Sequence, residues 1–185
     1  MPRLLPLLPA LLLAACAVAP PVADGLPPRA AVGDFALEAR FSLTHEAERH
    51  AGRLAWQRRG ADDELRIHSP FGQTVAEIFI DARQARLLAA DGQERTAPDA
   101  ESLLREVLGY PLPITDLAAW VLARPRPGAR IEADALGRPR EIADAGWRIS
   151  YDYEGETADA LPSRLIVTRD GGPELRLRIE EWRAP

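Results

Sequence analysis

The side chains with the greatest chemical capacity in this sequence are one cysteine, Cys16, three histidines, His45, His50 and His68, and two adjacent acidic pairs, Asp62/Asp63 and Glu180/Glu181. A lone cysteine rules out an intramolecular disulfide. The histidines show no ligand spacing with the cysteine and no H-E-x-x-H pattern, so each reads as a surface or strand residue and no metal site is predicted. Neighbours in a strand or turn point to opposite sides, so the acidic pairs read as solvated charges rather than as an acid/base couple. Glu77 stands alone among apolar residues, and a single carboxylate makes no catalytic pair. No nucleophile elbow, phosphate-binding loop or dinucleotide fingerprint is present. The expectation is a protein that is not an enzyme and needs no cofactor. The net charge of −5 is spread over 185 residues without a basic stripe, which argues against nucleic acid as a partner.

The chemistry of Cys16 is set by what precedes it. "MPRLLPLLPALLLAAC" has one early positive charge, Arg3, then a leucine-rich run, then small residues, which is a secretory signal layout. The apolar run is about ten residues, short of the roughly 20 needed to span a bilayer as a helix. Leu13-Ala14-Ala15-Cys16 resembles the lipobox of bacterial lipoproteins. That resemblance implies cleavage before Cys16 and acylation of the cysteine. Three acyl chains at about 0.8 kcal/mol per buried CH₂ hold a protein on a membrane indefinitely. Ala17 stands where an Asp would signal inner-membrane retention, so the resemblance further implies the outer membrane. Residues 17–32, rich in Pro and Ala, read as a semi-rigid tether. The predicted layout is a signal peptide at 1–15, a lipidated cysteine and tether at 16–32, and one domain at 33–185.

That domain has a period of two. Phe35, Leu37, Ala39, Phe41 and Leu43 alternate with polar or small residues, and Leu54/Trp56 and Leu65/Ile67 do the same. "TVAEIFID" and "ARLLAA" follow. Between two of these runs lies "HSPFGQ", a type I turn with Pro70 in its second position, Gly72 in its fourth, and a phenylalanine, Phe71, between them. Phe71 either stands out from the turn or folds back to plug the end of the sheet. The period then changes. A capping-box pattern at Thr96–Asp99 opens a helix carrying Leu103, Leu104, Val107 and Leu108 on one face, with Gly109 as its stop. A second helix begins near Thr115, carries Leu117, Trp120 and Val121, and ends at Pro125 and Pro127. Strands return with Trp147, Ile149 and Tyr151, then Leu165/Val167, then Leu175, Leu177 and Ile179. The count is about nine to eleven antiparallel strands. Two short helices are too little to fill the concave side of so large a sheet, which points to an apolar hollow. A closed, side-chain-filled barrel or a sandwich would use the same pattern.

Several stretches, in this order and spacing, resemble the LolB family of outer-membrane lipoproteins: "GRLAWQ", "SPFGQTVAEI", "DAESLLREVLGYPLP", "LAAWVLARPRP" and "LPSRLIVTR…LRLRIEEW". The resemblance covers nearly the whole chain. It implies a mainly β fold, a curved antiparallel sheet forming an incomplete, half-open β-barrel with short α-helices over the open side. It implies a hollow that binds lipoprotein acyl chains, received from a LolA-like periplasmic carrier and released into the outer membrane without nucleotide or metal. It places a membrane-contacting loop at Pro70, Phe71 and Gly72, where family members commonly carry Leu at the apolar position.

On this reading Phe41, Leu54, Trp56 and Ile67 line the acyl-chain cavity from the first strands. Leu103, Leu104, Val107 and Leu108 form the underside of a lid, with Leu117, Trp120 and Val121 beside it. Trp147, Tyr151 and Leu177 close the far side. The partners are the carrier, acylated lipoprotein clients and the outer membrane, reached through the lipid anchor, and the chain acts as a monomer. A triacylated client carries on the order of 45 methylenes, so passage through water is prohibitive at about 0.8 kcal/mol each. The alternative is a lipid-anchored structural or scaffold lipoprotein of an envelope assembly, which would bind no apolar ligand.

Overall fold

The computed structural model describes residues 29–184; the predicted signal peptide, Cys16 and residues 17–28 of the tether lie outside them. After a 3-10 turn at Arg29–Ala31, alternation builds β1 (Phe35–His45), β2 (Glu48–Arg59), β3 (Asp62–His68), β4 (Thr74–Ile80), β5 (Ala85–Ala89) and β6 (Glu94–Ala97). Two helices follow, α1 (Ala100–Leu108) and α2 (Ile114–Trp120). The chain ends in β7 (Arg130–Ala133), β8 (Pro139–Asp144), β9 (Trp147–Asp152), β10 (Arg164–Thr168) and β11 (Glu174–Arg183).

All eleven strands join one antiparallel sheet, in the order β6-β5-β4-β3-β2-β1-β11-β10-β9-β8-β7. Each half is a meander, and β1 and β11 join the halves at the centre of the sheet. The edges β6 and β7 do not pair with each other, so the sheet is curled but open. The helices occupy the one connection that runs from edge to edge. That route carries them over the concave face, where the sheet's apolar side chains need cover. Both edge strands have four residues, which limits the unpaired backbone they offer to other chains.

Alternate residues of each strand face the core. Phe35, Leu37, Ala39 and Leu43 of β1 are buried and Arg40 is exposed. The half-open antiparallel sheet with two covering helices is the fold that the resemblance implied. Three strands escape an alternation search. All four residues of β7 are exposed, so no apolar period exists there. β6 has a single buried residue, and β8 opens on Pro139, a position where a strand tolerates proline.

The helix start differs from the capping-box expectation. Thr96 stays in the β5–β6 ladder opposite Arg86. Asp99 caps α1 instead, its carboxylate accepting the Ser102 backbone N–H at 2.7 Å. Asp is as good a cap as Thr, and Asp99 is the first residue beyond the end of β6 at Ala97 whose side chain can accept such a bond. Gly109 ends α1 in the left-handed region, at φ 84°, its N–H donating to the Arg105 carbonyl at 2.9 Å. α2 stops at Trp120, so Val121 lies just beyond it as its C-cap.

Candidate functional site

The concave side is unevenly filled. Phe35 meets Trp56 and Trp182 edge-on, with ring centroids 5.3 and 5.7 Å apart, and packs the end where β2 turns into β3. Trp120 is fully buried and meets Trp147 at 6.1 Å. The two deepest indoles are each tied to a buried carboxylate. Trp56 Nε1 donates to Asp63 at 2.8 Å, and Trp120 Nε1 donates to Asp144 at 3.1 Å. Asp63 is therefore not the solvated charge that its neighbour Asp62 suggested. The strand turns it inward, and Arg58 joins it at 2.9 Å. Burial raises the Asp63 carboxyl above the usual carboxylate range, against the pull of Trp56 and Arg58. Asp144 is held below that range by the Arg126 guanidinium first, then by the Trp120 N–H, with burial opposing.

At the opposite end of β1–β5 the filling stops and a hollow of roughly 460 Å³ remains. Its wall is apolar: Phe41 and Leu43 of β1, Leu54 of β2, Ile67 of β3, Ile78 of β4 and Leu87 of β5. Leu175 and Leu177 extend it onto β11, and Leu104, Val107, Leu108 and Leu117 roof it. Polar lining comes only from Arg49, His50, His68 and Ser69, all on strand ends or the β3–β4 turn. Gly52 makes the wall possible. It lies opposite Phe41, and a Cβ there would sit 2.2 Å from the His68 carbonyl oxygen and 3.1 Å from the Phe41 ring. A strand glycine at such a close approach lets β2 and β3 come together beside a large ring.

The rim of the hollow carries the turn. Ser69 and Pro70 line it, and Phe71, next in the chain, is 94% exposed. The Gly72 N–H donates to the Ser69 carbonyl at 2.9 Å and the Ser69 N–H to the Gln73 carbonyl at 2.8 Å. Gly72 closes this turn at φ 85°, a region that glycine enters freely. A four-residue turn closed at both ends leaves its third side chain no path back to the core. Phe71 therefore stands out, with Val75 also half-exposed nearby in sequence.

The two helices are held differently. Arg126 grips Asp144 with two nitrogens, at 2.8 and 3.0 Å, and reaches Asp116 of α2 at 2.7 Å. With the Trp120 bond, this pins α2 to β8. α1 rests on β5, β6 and α2, and its polar ties are its own caps, the Glu101 carboxylate, which accepts the Thr115 N–H at 3.2 Å, and an exposed pair at 3.4 Å between Glu106 and Arg95 of β6. Val107 on α1 is 39% exposed over the hollow.

The family model described as "Outer membrane lipoprotein LolB" matches residues 33–182. The chain belongs to the LolB family. It is 41% identical over 177 residues to the outer-membrane lipoprotein LolB of Dechloromonas aromatica, covering 93% of this chain and 92% of the relative. It is 40% identical over 173 residues to that of Azoarcus sp., covering 92% and 89%. Among solved structures it is similar to a LolA superfamily protein from Nitrosomonas europaea, at 10% identity and a TM-score of 0.49 over 86% of this chain and 88% of the other.

In this LolB-family domain the residues expected at the cavity fall into two groups. Phe41, Leu54, Ile67, Leu104, Val107, Leu108, Leu117 and Leu177 surround the hollow. Trp56, Leu103, Trp120, Val121, Trp147 and Tyr151 do not. Trp56 and Trp120 are drawn into the packed regions by their N–H bonds to Asp63 and Asp144. Leu103, one position from Leu104, is turned into the core and fully buried, and so is Val121 beyond the end of α2. Trp147 lies beneath Trp120, and Tyr151 is buried on β9 beside Tyr153, in the half of the sheet away from the hollow. Leu43, Leu87, Leu112, Ile114 and Leu175 line the hollow without having been singled out from sequence. The alternation of Leu43, Leu87 and Leu175 was visible, but not which end of each strand stays unfilled; Leu112 and Ile114 lie in the α1–α2 connection and at the start of α2, where no strand period applies.

Proposed function

We propose that this LolB-family protein is the outer-membrane acceptor for lipoproteins delivered by a LolA-like periplasmic carrier. The clients' acyl chains enter the hollow beneath α1, and the Pro70–Phe71–Gly72 loop makes the membrane contact through which they leave. The observation that carries this reading is the adjacency of the two features: an apolar hollow whose rim continues directly into an exposed phenylalanine. An apolar wall with polar groups confined to the mouth suits an amphiphile whose chains are buried and whose head stays in water. An exposed aromatic on a short, closed turn suits insertion into the headgroup zone of a bilayer.

Residues 1–15 are removed, Cys16 carries the lipid, and residues 16–32 hold the monomeric domain 33–185 off the membrane. α1 is the part that yields when chains enter, because α2 is clamped to β8 through the buried Asp144, whereas the one side-chain pair between α1 and the sheet among the described residues, Arg95–Glu106, is exposed. Direction needs no nucleotide: transfer runs from weaker to stronger apolar shelter, and the bilayer is the last of these. The test is a handover assay. The carrier is loaded with a labelled lipoprotein and mixed with this protein, and the label is expected to move to it and then into vesicles. Retention of the label on the carrier, in the presence of well-folded protein, defeats the reading.

A further inference from the structure

The outward face of the sheet carries a row of four like charges. Arg53 of β2 lies opposite Arg40 of β1, Arg40 opposite Arg178 of β11, and Arg178 opposite Arg164 of β10. The row crosses four adjacent strands, about 14 Å at the usual strand spacing. Like charges placed directly opposite one another weaken a sheet. Carboxylates offset only part of this: Arg40 pairs with Glu180 at 2.6 Å and Arg164 with Asp152 at 3.2 Å. Among the described residues, Arg53 and Arg178 have no carboxylate at ion-pair distance. A fifth arginine, Arg176, stands beside the row opposite Ser42 and Ile166, paired with Glu174 at 2.6 Å. Arg40, Ser42, Arg164, Ile166, Arg176 and Arg178 together line a shallow groove of roughly 300 Å³. A chain with a net charge of −5 thus gathers five cations on one patch of its convex face.

We propose that this arginine row docks the protein on phosphate headgroups of an anionic lipid surface. Guanidinium groups take phosphate oxygens in bidentate, charge-assisted bonds, and an anionic surface relieves the repulsion stored in the row. Two observations favour lipid over an acidic protein. Phe41 and Leu177 also border the groove, but their side chains belong to the hollow on the other side of the sheet, which leaves the half-buried Ile166 as the patch's one outward apolar side chain, whereas a protein interface needs a buried apolar anchor. The row also starts at the foot of the exposed turn: Arg53 lies opposite His68, the residue before Ser69, and Phe71 is at the tip. Arginines next to an exposed aromatic have the composition of a membrane-interface contact.

The inference rests on the reading of this chain as membrane-bound, and not on its carrying lipoproteins. The test uses the full lipidated protein in nanodiscs of phosphatidylcholine, alone or mixed with phosphatidylglycerol. Arginines are modified with phenylglyoxal and followed by mass spectrometry. On the anionic discs Arg53, Arg40, Arg178 and Arg164 are expected to react about fivefold more slowly, and high salt is expected to restore their rates. Arg95 and Arg105, away from the row, keep one rate throughout. Equal rates on both discs overturn the proposal. So does slowing that appears only when the carrier protein is added, which assigns the face to an acidic protein. In the double variant Arg40→Gln/Arg178→Gln, Arg53 and Arg164 should lose their lipid dependence while the thermal midpoint holds or rises. A fall in the midpoint with lipid dependence retained makes the row structural and overturns the docking role. Failed lipoprotein handover with this protection pattern intact counts against the transport reading and leaves the docking surface standing.

Discussion

At the residue scale, position along a strand decides whether an apolar side chain meets other side chains or empty space. Leu104 and Trp120 show the difference. Leu104→Glu places a charge in the roof of the hollow and is expected to abolish uptake of a fluorescent fatty-acyl probe while the far-UV dichroism stays native. Trp120→Ala removes a fully buried ring and orphans a bond to Asp144, and is expected to cost about 3–5 kcal/mol in denaturant unfolding. Equal folding damage from both would mean that the hollow is core. Phe71→Glu tests the rim: client binding should persist and delivery to vesicles should stop, and normal delivery would reduce the loop to a turn. Asp144 sets a pH dependence. Its carboxyl titrates below the ordinary range in the folded state, so its contribution is complete above about pH 4 and is lost as the pH falls through its folded value. Asp63 has the opposite sign: raised by burial, it weighs against folding as the pH rises past its folded value. Asp144→Asn should therefore flatten the acid limb of thermal stability against pH, measured by dichroism. A limb as steep as the wild type's would place the acid sensitivity elsewhere. None of this Asp–Trp–Arg pairing was legible in the sequence, because the partners meet only through strand register or across the helices.

At the element scale, the period-two runs and the helix stop at Gly109 were legible because local backbone physics decides them. The cap of α1 was misplaced by three residues, since Thr96 and Asp99 are equally able caps and only the β5–β6 ladder chooses between them. Strands β6 and β7 were illegible for a related reason: an edge strand with little or nothing to bury leaves no apolar period. Gly52 was a readable signal that went unused, because a glycine inside an alternating strand marks a close approach. Gly52→Ala is expected to destabilise the fold by about 1–3 kcal/mol, since its Cβ meets the His68 carbonyl and backbone must shift. Hydrogen exchange should rise at the ends of β2 and β3 next to the Ser69 turn, and an unchanged profile there would show that the strands had room to spare.

At the scale of the whole molecule, order and spacing of short stretches carried the family, and with it the half-open sheet that alternation alone left open between hollow, filled barrel and sandwich. The predicted anchor, Cys16, lies outside the described residues. Cys16→Ser is expected to release the protein from the outer-membrane fraction on density separation, and continued membrane residence would remove the lipid from the account. The order of the sheet bears on how such an anchor could work. β1 and β11, the first and last strands, lie side by side at its centre, while β6 and β7 form the free margins. A leash on Cys16 would hold the domain as a book is held by its spine. Its pull would reach the chain just ahead of β1, where Arg29 also donates to the Ala123 carbonyl at 2.9 Å, so the central strands and the end of α2 would share the load while the β6 cover stayed free to part around a cargo.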